Sequence, residues 1–175
     1  MSKKVAVLAV NPVNGFGLFH YLETFFENGI SYKTFAVANS VNIKTNSGIP
    51  LQTDDVVANL KNHEDEFDAL VFSCGDAMPK FGENAGETYN QDMLQIMANF
   101  SDKGKIIIGH CVGGLLFDGL EGAKGKKIAL HPYVKPMVKN VIGTDDEIAV
   151  DGNFYTAQTE KTLGLLMPKL IEVLK

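Results

Sequence analysis

The chain has 175 residues, 45% of them hydrophobic, and a formal net charge of −5 at pH 7. This length fits one domain with one substantial core, and the scattered acidic and basic residues form no basic patch for nucleic acid. Two cysteines are too few for a disulfide-stapled secreted scaffold, and no apolar stretch reaches the ~20 residues of a membrane helix. We therefore expect a single cytoplasmic domain, residues 1–175, that binds neither nucleic acid nor membrane.

Strand patterns and helix patterns alternate along the chain. Apolar runs typical of buried parallel strands lie at Lys4–Val10, Tyr32–Ala38, Ala69–Ser73 and Lys105–Gly109. Helical patterns lie at Leu18–Phe26, from near Thr53, at Gln91–Phe100 and at Val112–Leu120. This alternation predicts an α/β fold with a doubly wound, mainly parallel sheet and helices on both faces.

The remaining segments contain shorter elements. Ser40–Thr53 is typical of a small hairpin or an irregular excursion, and Glu147–Val150 with Asn153–Ala157 predicts a strand pair around a tight turn. A last helix contains Pro168, a residue that can kink a helix. Its apolar face carries Leu163, Leu166, Met167, Leu170, Ile171 and Leu174.

The segment Gly109–Gly114, with Cys111 at its centre, follows an apolar strand and opens a helical pattern. This is the context of a nucleophile elbow, in which flanking glycines let the backbone turn sharply and the apical side chain is exposed above the sheet. A thiol at a helix N-terminus is favoured as thiolate. We therefore predict that Cys111 is a catalytic nucleophile; the alternative is a buried, inert cysteine.

Other candidate site residues follow from the convergence of parallel strand ends on one crevice. The N–H groups of Gly75 and Val112 are predicted to form an oxyanion hole, and Cys74 is a candidate redox partner of Cys111. His131 follows the next strand and is a candidate base or orienting residue, the alternative being a surface histidine. Strand alternation predicts that His110 points away from Cys111 and has a structural role.

Metal and nucleotide motifs are absent from the sequence. No cysteine or histidine pair has zinc-ligand spacing, and there is no GxGxxG or P-loop pattern. We therefore predict no metal site and no required cofactor.

The sequence resembles the ThiJ/PfpI superfamily, which contains intracellular protease I and the Parkinson's-associated deglycase. The matching segments are Lys4–Leu8, Asp65–Val71, Gly109–Cys111, Lys127–Pro132 and Val150–Thr156. The resemblance implies a flavodoxin-like fold, related to that of class I glutamine amidotransferases, a reactive elbow cysteine, and a homodimer or higher homo-oligomer. The amidotransferases themselves need a downstream His-x-Glu pair, which this chain lacks.

The chain departs from that family at one catalytic position. Family members typically carry a glutamate in the first strand-to-helix loop, hydrogen-bonded to the cysteine, whereas the segment 14–18 here contains no carboxylate. Two hypotheses follow. The first is an intracellular cysteine hydrolase, or a glyoxalase or deglycase, that acts on a small molecule or peptide through Cys111. The second is a non-catalytic binder of a flavin or nucleotide, or a thiol-based redox sensor; a degenerate interaction module is a third reading.

Overall fold

The computed structural model describes residues 1–175 and contains a central seven-stranded sheet, two two-stranded sheets and four α-helices. The strands are β1 (Lys4–Val10), β2 (Ser31–Val37), β3 (Asn42–Lys44), β4 (Pro50–Gln52), β5 (Asp55–Val56), β6 (Ala69–Ser73), β7 (Ile106–His110), β8 (Lys127–Ala129), β9 (Ile142–Thr144), β10 (Ile148–Asp151) and β11 (Phe154–Ala157). The helices are α1 (Gly15–Glu27), α2 (Thr88–Asp102), α3 (Gly114–Phe117) and α4 (Leu163–Leu174).

The central sheet has the strand order β10-β11-β7-β6-β1-β2-β5. All neighbouring strands are parallel except β10 and β11, which form an antiparallel hairpin at one edge. The chain runs outward from β1 to β2 and later returns to β6 on the other side of β1, so the strand order reverses there. Ligands of open α/β sheets bind outside the carboxyl ends of the strands at such a reversal. The predicted doubly wound, mainly parallel fold is thus confirmed.

The core forms because the central strands are apolar on both faces. Residues 5–10 of β1 and the whole of β6 are buried, which requires cover on both sides of the sheet. The helix α1 buries Leu18, Tyr21 and Phe25, spaced three and four residues apart, and packs against α4. The helix α2 packs against β6 and β7. None of these helices combines the length and apolar character needed to cross a membrane.

The predicted helix near Thr53 is wrong, because its polar side chains bind β2 and residues outside it instead of capping a helix. The Thr53 hydroxyl donates to the carbonyl oxygens of Val41 and Asp55, at 3.3 and 2.8 Å. The Asp54 carboxylate accepts hydrogen bonds from the backbone N–H and hydroxyl of Thr34, at 2.8 and 2.7 Å. The segment therefore pairs along β2 as the short strand β5.

The predicted helix after the elbow is shorter than its sequence pattern. Residues Cys111–Gly113 form a 3₁₀ turn, and α3 ends at Phe117 rather than Leu120. The next residue, Asp118, accepts hydrogen bonds from the backbone N–H groups of residues 139–141, at 2.7 to 3.1 Å. This carboxylate therefore ties the end of α3 to a distant loop.

Of the two alternatives for Ser40–Thr53, the structure shows the hairpin, β3–β4, and the predicted strand pair is confirmed as the antiparallel pair β10–β11. The final helix is confirmed as α4, which continues through Pro168. Ile171 on its predicted apolar face is only half-buried, whereas the other members of that face are buried.

Candidate active site

The turn between β7 and α3 presents Cys111 with a backbone φ of +56°, in the left-handed region that non-glycine residues rarely adopt. The glycines around it allow close packing. A Cβ at Gly109 would lie 2.6 Å from the Phe117 ring, and one at Gly113 would lie 2.9 Å from the Phe72 ring. The sequence thus folds into the predicted sharp strand-to-helix turn, with Cys111 half-buried at its apex.

Cys111 opens on a cleft of about 380 Å³ at the carboxyl ends of the central strands. The lining residues are Asn14, Asn46, Cys74, Gly75, Asp76, Pro79, His110, Cys111, Val112, His131, Thr159, Glu160 and Lys161. The structure therefore brings together all five residues predicted for the site, and their chemical roles remain predictions. No group of three or more His, Cys, Asp or Glu side chains in the chain could hold a metal ion.

The two thiols are neighbours because β6 and β7 are paired in register, with Phe72 opposite Gly109. Two residues beyond this pair, Cys74 follows β6 and Cys111 follows β7, so the two lie side by side. Both are free cysteines. The hydrogen bond from Cys74 lowers the pKa of Cys111, and the N–H of Val112 acts in the same direction. Burial and the Glu160 carboxylate oppose this shift without reversing it. The same hydrogen bond, together with burial, raises the pKa of Cys74 well above its usual value.

His110 is 1% exposed and lies between Tyr21 and Cys74. Its Nδ1 is 3.0 Å from the Tyr21 hydroxyl, and its Nε2 is 3.7 Å from the Cys74 sulfur. Burial lowers the pKa of His110 to about 4, so the ring is neutral at pH 7. The structural role of His110 stays a prediction; its buried ring lines the cleft and contacts the site through Cys74.

His131 is anchored to the elbow by its main chain, since its N–H donates to the Cys111 carbonyl oxygen at 3.2 Å. Its ring Nδ1 accepts a hydrogen bond from the Tyr133 N–H at 3.1 Å. The neutral ring therefore carries its proton on Nε2. In this tautomer His131 can donate a hydrogen bond into the cleft but cannot take a proton from Cys111, so the geometry favours an orienting role over that of a base.

The N–H of Gly75 lies at the cleft and forms no hydrogen bond within the protein. Position 75 tolerates only glycine, because a Cβ there would meet the Pro12 carbonyl and lie 2.5 Å from the Val13 Cα. The Val112 N–H directly follows Cys111 and favours its thiolate form. These two amides are the donors available for an oxyanion beside Cys111.

The first strand-to-helix loop carries glycine and asparagine beside the thiols. The Asn14 side chain caps α1 by accepting from the Gly17 N–H at 2.6 Å. A Cβ at Gly17 would lie 2.6 Å from His110 Nε2, so the imidazole leaves no room for a side chain there.

Sequence reasoning missed Glu160 and Lys161, which reach the cleft from the loop between β11 and α4. The Glu160 carboxylate acts electrostatically on Cys111. It is separated from the elbow by 49 positions and belongs to no motif, so only the fold brings it to the site. Glu160 is thus a carboxylate near the nucleophile that comes from a different loop than the family pattern suggests.

Comparison with known proteins agrees with this geometry. The chain matches the DJ-1/PfpI family over residues 3–173. It is 61% identical over 175 residues to Protein ppBat of Bacteroides thetaiotaomicron, and the match covers 100% of both chains. A solved structure from the same organism, provisionally named protease I, has 60% identity and a TM-score of 0.98, covering 99% of this chain and 100% of that one.

More distant structures share the fold. DJ-1beta of Drosophila melanogaster has 21% identity and a TM-score of 0.83, covering 99% of this chain and 91% of that one. A mutant of a DJ-1 superfamily protein from Salmonella typhimurium has 21% identity and a TM-score of 0.85, covering 98% and 90%. With an elbow cysteine in the expected cleft and a family match along nearly its whole length, the chain belongs to the DJ-1/PfpI family.

Proposed function

We propose that this protein is a cysteine-dependent enzyme that attacks the carbonyl carbon of a small polar substrate, as a glyoxalase or deglycase or a hydrolase of small acyl compounds does. The observation that carries the proposal is the half-buried Cys111 at the apex of the elbow. The pKa of Cys111 is lowered, and the largest cause is its neighbour Cys74. A thiolate is the nucleophilic form of cysteine.

The attack forms a C–S bond between Cys111 and the carbonyl carbon, and the carbonyl electron pair moves to the oxygen. The free N–H of Gly75 is available to stabilise this oxyanion, together with the N–H of Val112 once the sulfur has lost its charge. His131 can add a hydrogen bond through Nε2–H, while the Glu160 carboxylate lines the cleft and is available as a base for a water molecule. This covalent adduct is common to both enzyme classes.

The lining of the cleft favours a small polar substrate. It contains no Leu, Ile, Phe, Tyr or Trp side chain, so it has neither an apolar pocket for a peptide side chain nor an aromatic face for a flavin ring. Its volume of about 380 Å³ lies near the lower end of the ~300–1,000 Å³ usual for ligand sites. A small 2-oxoaldehyde or short ester fits this description better than a polypeptide.

The test is turnover of methylglyoxal and of p-nitrophenyl acetate by the wild type and by Cys111→Ala. We expect Cys111→Ala to lose all activity, and His131→Gln to lower kcat about tenfold through one missing hydrogen bond in the transition state. His63→Gln is the matched control, because His63 is exposed and pairs only with Glu66. Activity that persists in Cys111→Ala would overturn the proposal.

A second candidate function is redox sensing, which the adjacency of the two free thiols favours. The Cys111 thiolate would attack a peroxide oxygen, giving a sulfenic acid and releasing hydroxide or an alkoxide; the Cys74 thiol would then form the disulfide with loss of water. A reducing compartment such as the cytoplasm would return both thiols to the free state. Mass spectrometry after hydrogen peroxide treatment tests this: the wild type should lose two hydrogens, whereas Cys74→Ser should stop at an oxidised Cys111.

A further inference from the structure

Three buried side chains lie in a row behind Cys111. The Tyr21 hydroxyl is 3.0 Å from His110 Nδ1, His110 Nε2 is 3.7 Å from the Cys74 sulfur, and the paired ends of β6 and β7 place Cys74 beside Cys111. Tyr21, His110 and Cys74 are 0%, 1% and 2% exposed. Their polar groups therefore depend on one another rather than on water for hydrogen bonds.

When Cys111 is ionised, all the hydrogen bonds of the row run from donor to acceptor in the same direction, toward Cys111. The Cys74 thiol lies 3.3 Å from the His110 carbonyl oxygen and beside the Cys111 sulfur, and a charged acceptor such as a thiolate makes the stronger hydrogen bond. When the Cys74 S–H donates to the Cys111 thiolate, the Cys74 sulfur can accept from His110 Nε2–H. This leaves His110 Nδ1 to accept from the Tyr21 hydroxyl.

Each member of the row has the protonation state that this direction requires. Burial raises the pKa of Tyr21 well above its usual value, and the Cys111 hydrogen bond with burial does the same for Cys74. His110 is neutral because burial lowers its pKa to about 4. At pH 7 all three groups are therefore uncharged donors.

We propose that Tyr21, His110 and Cys74 are positioning residues that stabilise the Cys111 thiolate in place of the carboxyl group missing from the first strand-to-helix loop. The inference rests on the proposed function, because a stabilised thiolate is the nucleophile of that reaction. His110 occupies the space beside Gly17, so the imidazole and a longer side chain at that position exclude each other. The other titratable groups lining the cleft around Cys111 are Asp76, His131, Glu160 and Lys161.

The experiment is the rate of Cys111 alkylation by iodoacetamide as a function of pH, read by mass spectrometry. Deleting the donor in Cys74→Ala should raise the apparent pKa of Cys111 by about one unit, a tenfold loss of thiolate below that pKa. Cys74→Ser keeps a neutral donor and should recover most of the shift. Tyr21→Phe keeps the ring volume, breaks the far end of the row, and should raise the Cys111 pKa by a smaller amount.

Tyr32→Phe is the matched control, because the half-buried Tyr32 packs on Phe25 and lies outside the row. If the three residues only support the fold, Cys74→Ala and Tyr21→Phe will lower the melting temperature while leaving the Cys111 pKa at the wild-type value, and the inference is overturned. A pKa that shifts as expected in a protein without turnover supports the row and contradicts the proposed function alone. Tyr21→Phe decides the matter if Cys74→Ala does not fold.

Discussion

Cys111 combines a reactive side chain with a disfavoured backbone conformation, and the two have the same origin. The sharp turn that exposes the thiol above the sheet also forces the residue to φ +56°. Strain of this kind is characteristic of functional sites. Stability and reactivity are therefore opposed at this one residue.

That opposition predicts an unusual order of stabilities. A Cβ in the left-handed conformation costs roughly 1–2 kcal/mol, so Cys111→Gly should be more stable than Cys111→Ala by about 1 kcal/mol. Thermal unfolding should show a melting temperature roughly 2–4 °C higher for the glycine variant. Asn62, the other non-glycine residue with positive φ, gives a matched Gly/Ala pair. An alanine variant as stable as the glycine variant would show that the turn is not strained.

His110 predicts a pH dependence of stability. Its pKa is about 4 in the folded state and about 6.5 when exposed, so the unfolded state binds the proton first as pH falls. The neutral, buried His110 contributes about 3 kcal/mol to the free energy of unfolding. This contribution is complete above pH 6.5 and is lost as the pH falls from 6.5 to 4. Urea unfolding at pH 7 and pH 4.5 should show a smaller difference for His110→Gln than for the wild type. His63→Gln, at an exposed histidine, should follow the wild type; an unaltered pH dependence in His110→Gln would contradict the argument.

At the scale of elements, the site depends on how closely the loops after β1 and β6 approach each other. The Asn14 N–H donates to the Cys74 carbonyl oxygen at 2.9 Å, which joins the two loops directly behind the thiols. Gly75 lies against the backbone of Pro12 and Val13 with no space for a side chain. The position of Cys74 relative to Cys111 therefore depends on this contact.

We predict that Gly75→Ala destabilises the protein by about 2–3 kcal/mol, because the added methyl group meets main-chain atoms that cannot rotate away. Thermal unfolding should show a lower melting temperature. Because Cys74 is then displaced from Cys111, alkylation should show a higher apparent pKa of Cys111. Gly82→Ala is the control, since a Cβ there meets nothing within 4 Å. Equal melting temperatures for the two variants would mean that the loops after β1 and β6 can separate without loss of stability.

The strands could be predicted from the sequence because continuous apolar runs leave few alternatives, whereas element ends depend on distant partners. The polar residues Thr53 and Asp54 are typical of a helix start, yet their side chains bind β2 and residues near it. The end of α3 is fixed by Asp118, whose partners are residues 139–141. Such contacts across tens of positions have no local signal.

At the scale of the molecule, the elbow was predictable because its glycines, cysteine and strand are contiguous. The row behind it was not, since Tyr21 and His110 are 89 positions apart and Glu160 belongs to the last loop. Only the sheet order places the ends of β1, β6 and β7 side by side.

We also propose that the protein forms the homodimer or higher oligomer that the family resemblance implies. Phe16, Phe19 and Ile49 are 65%, 45% and 59% exposed and line one shallow depression. Asn14 and Asn46 border both this depression and the cleft. A second copy seated here would therefore adjoin the site.

Light scattering should give at least twice the chain mass of 19.0 kDa for the wild type. Phe16→Asp should shift the protein toward the monomer, because burying a carboxylate in an apolar contact is costly. Met137→Asp, a comparable change at a residue 53% exposed elsewhere, should leave the mass unchanged. A monomeric wild type would contradict the proposal.

The contact between Gly17 and His110 has an evolutionary consequence. A carboxyl-bearing side chain at position 17 needs the space that the imidazole fills, where a Cβ would lie 2.6 Å from Nε2. A single Gly17→Glu change would therefore collide with His110, and losing His110 first would leave the Tyr21 hydroxyl and the Cys74 thiol without their shared partner. A carboxyl group at position 17 thus requires a second substitution at position 110, and relatives that keep His110 are expected to keep glycine at position 17 as a covarying pair.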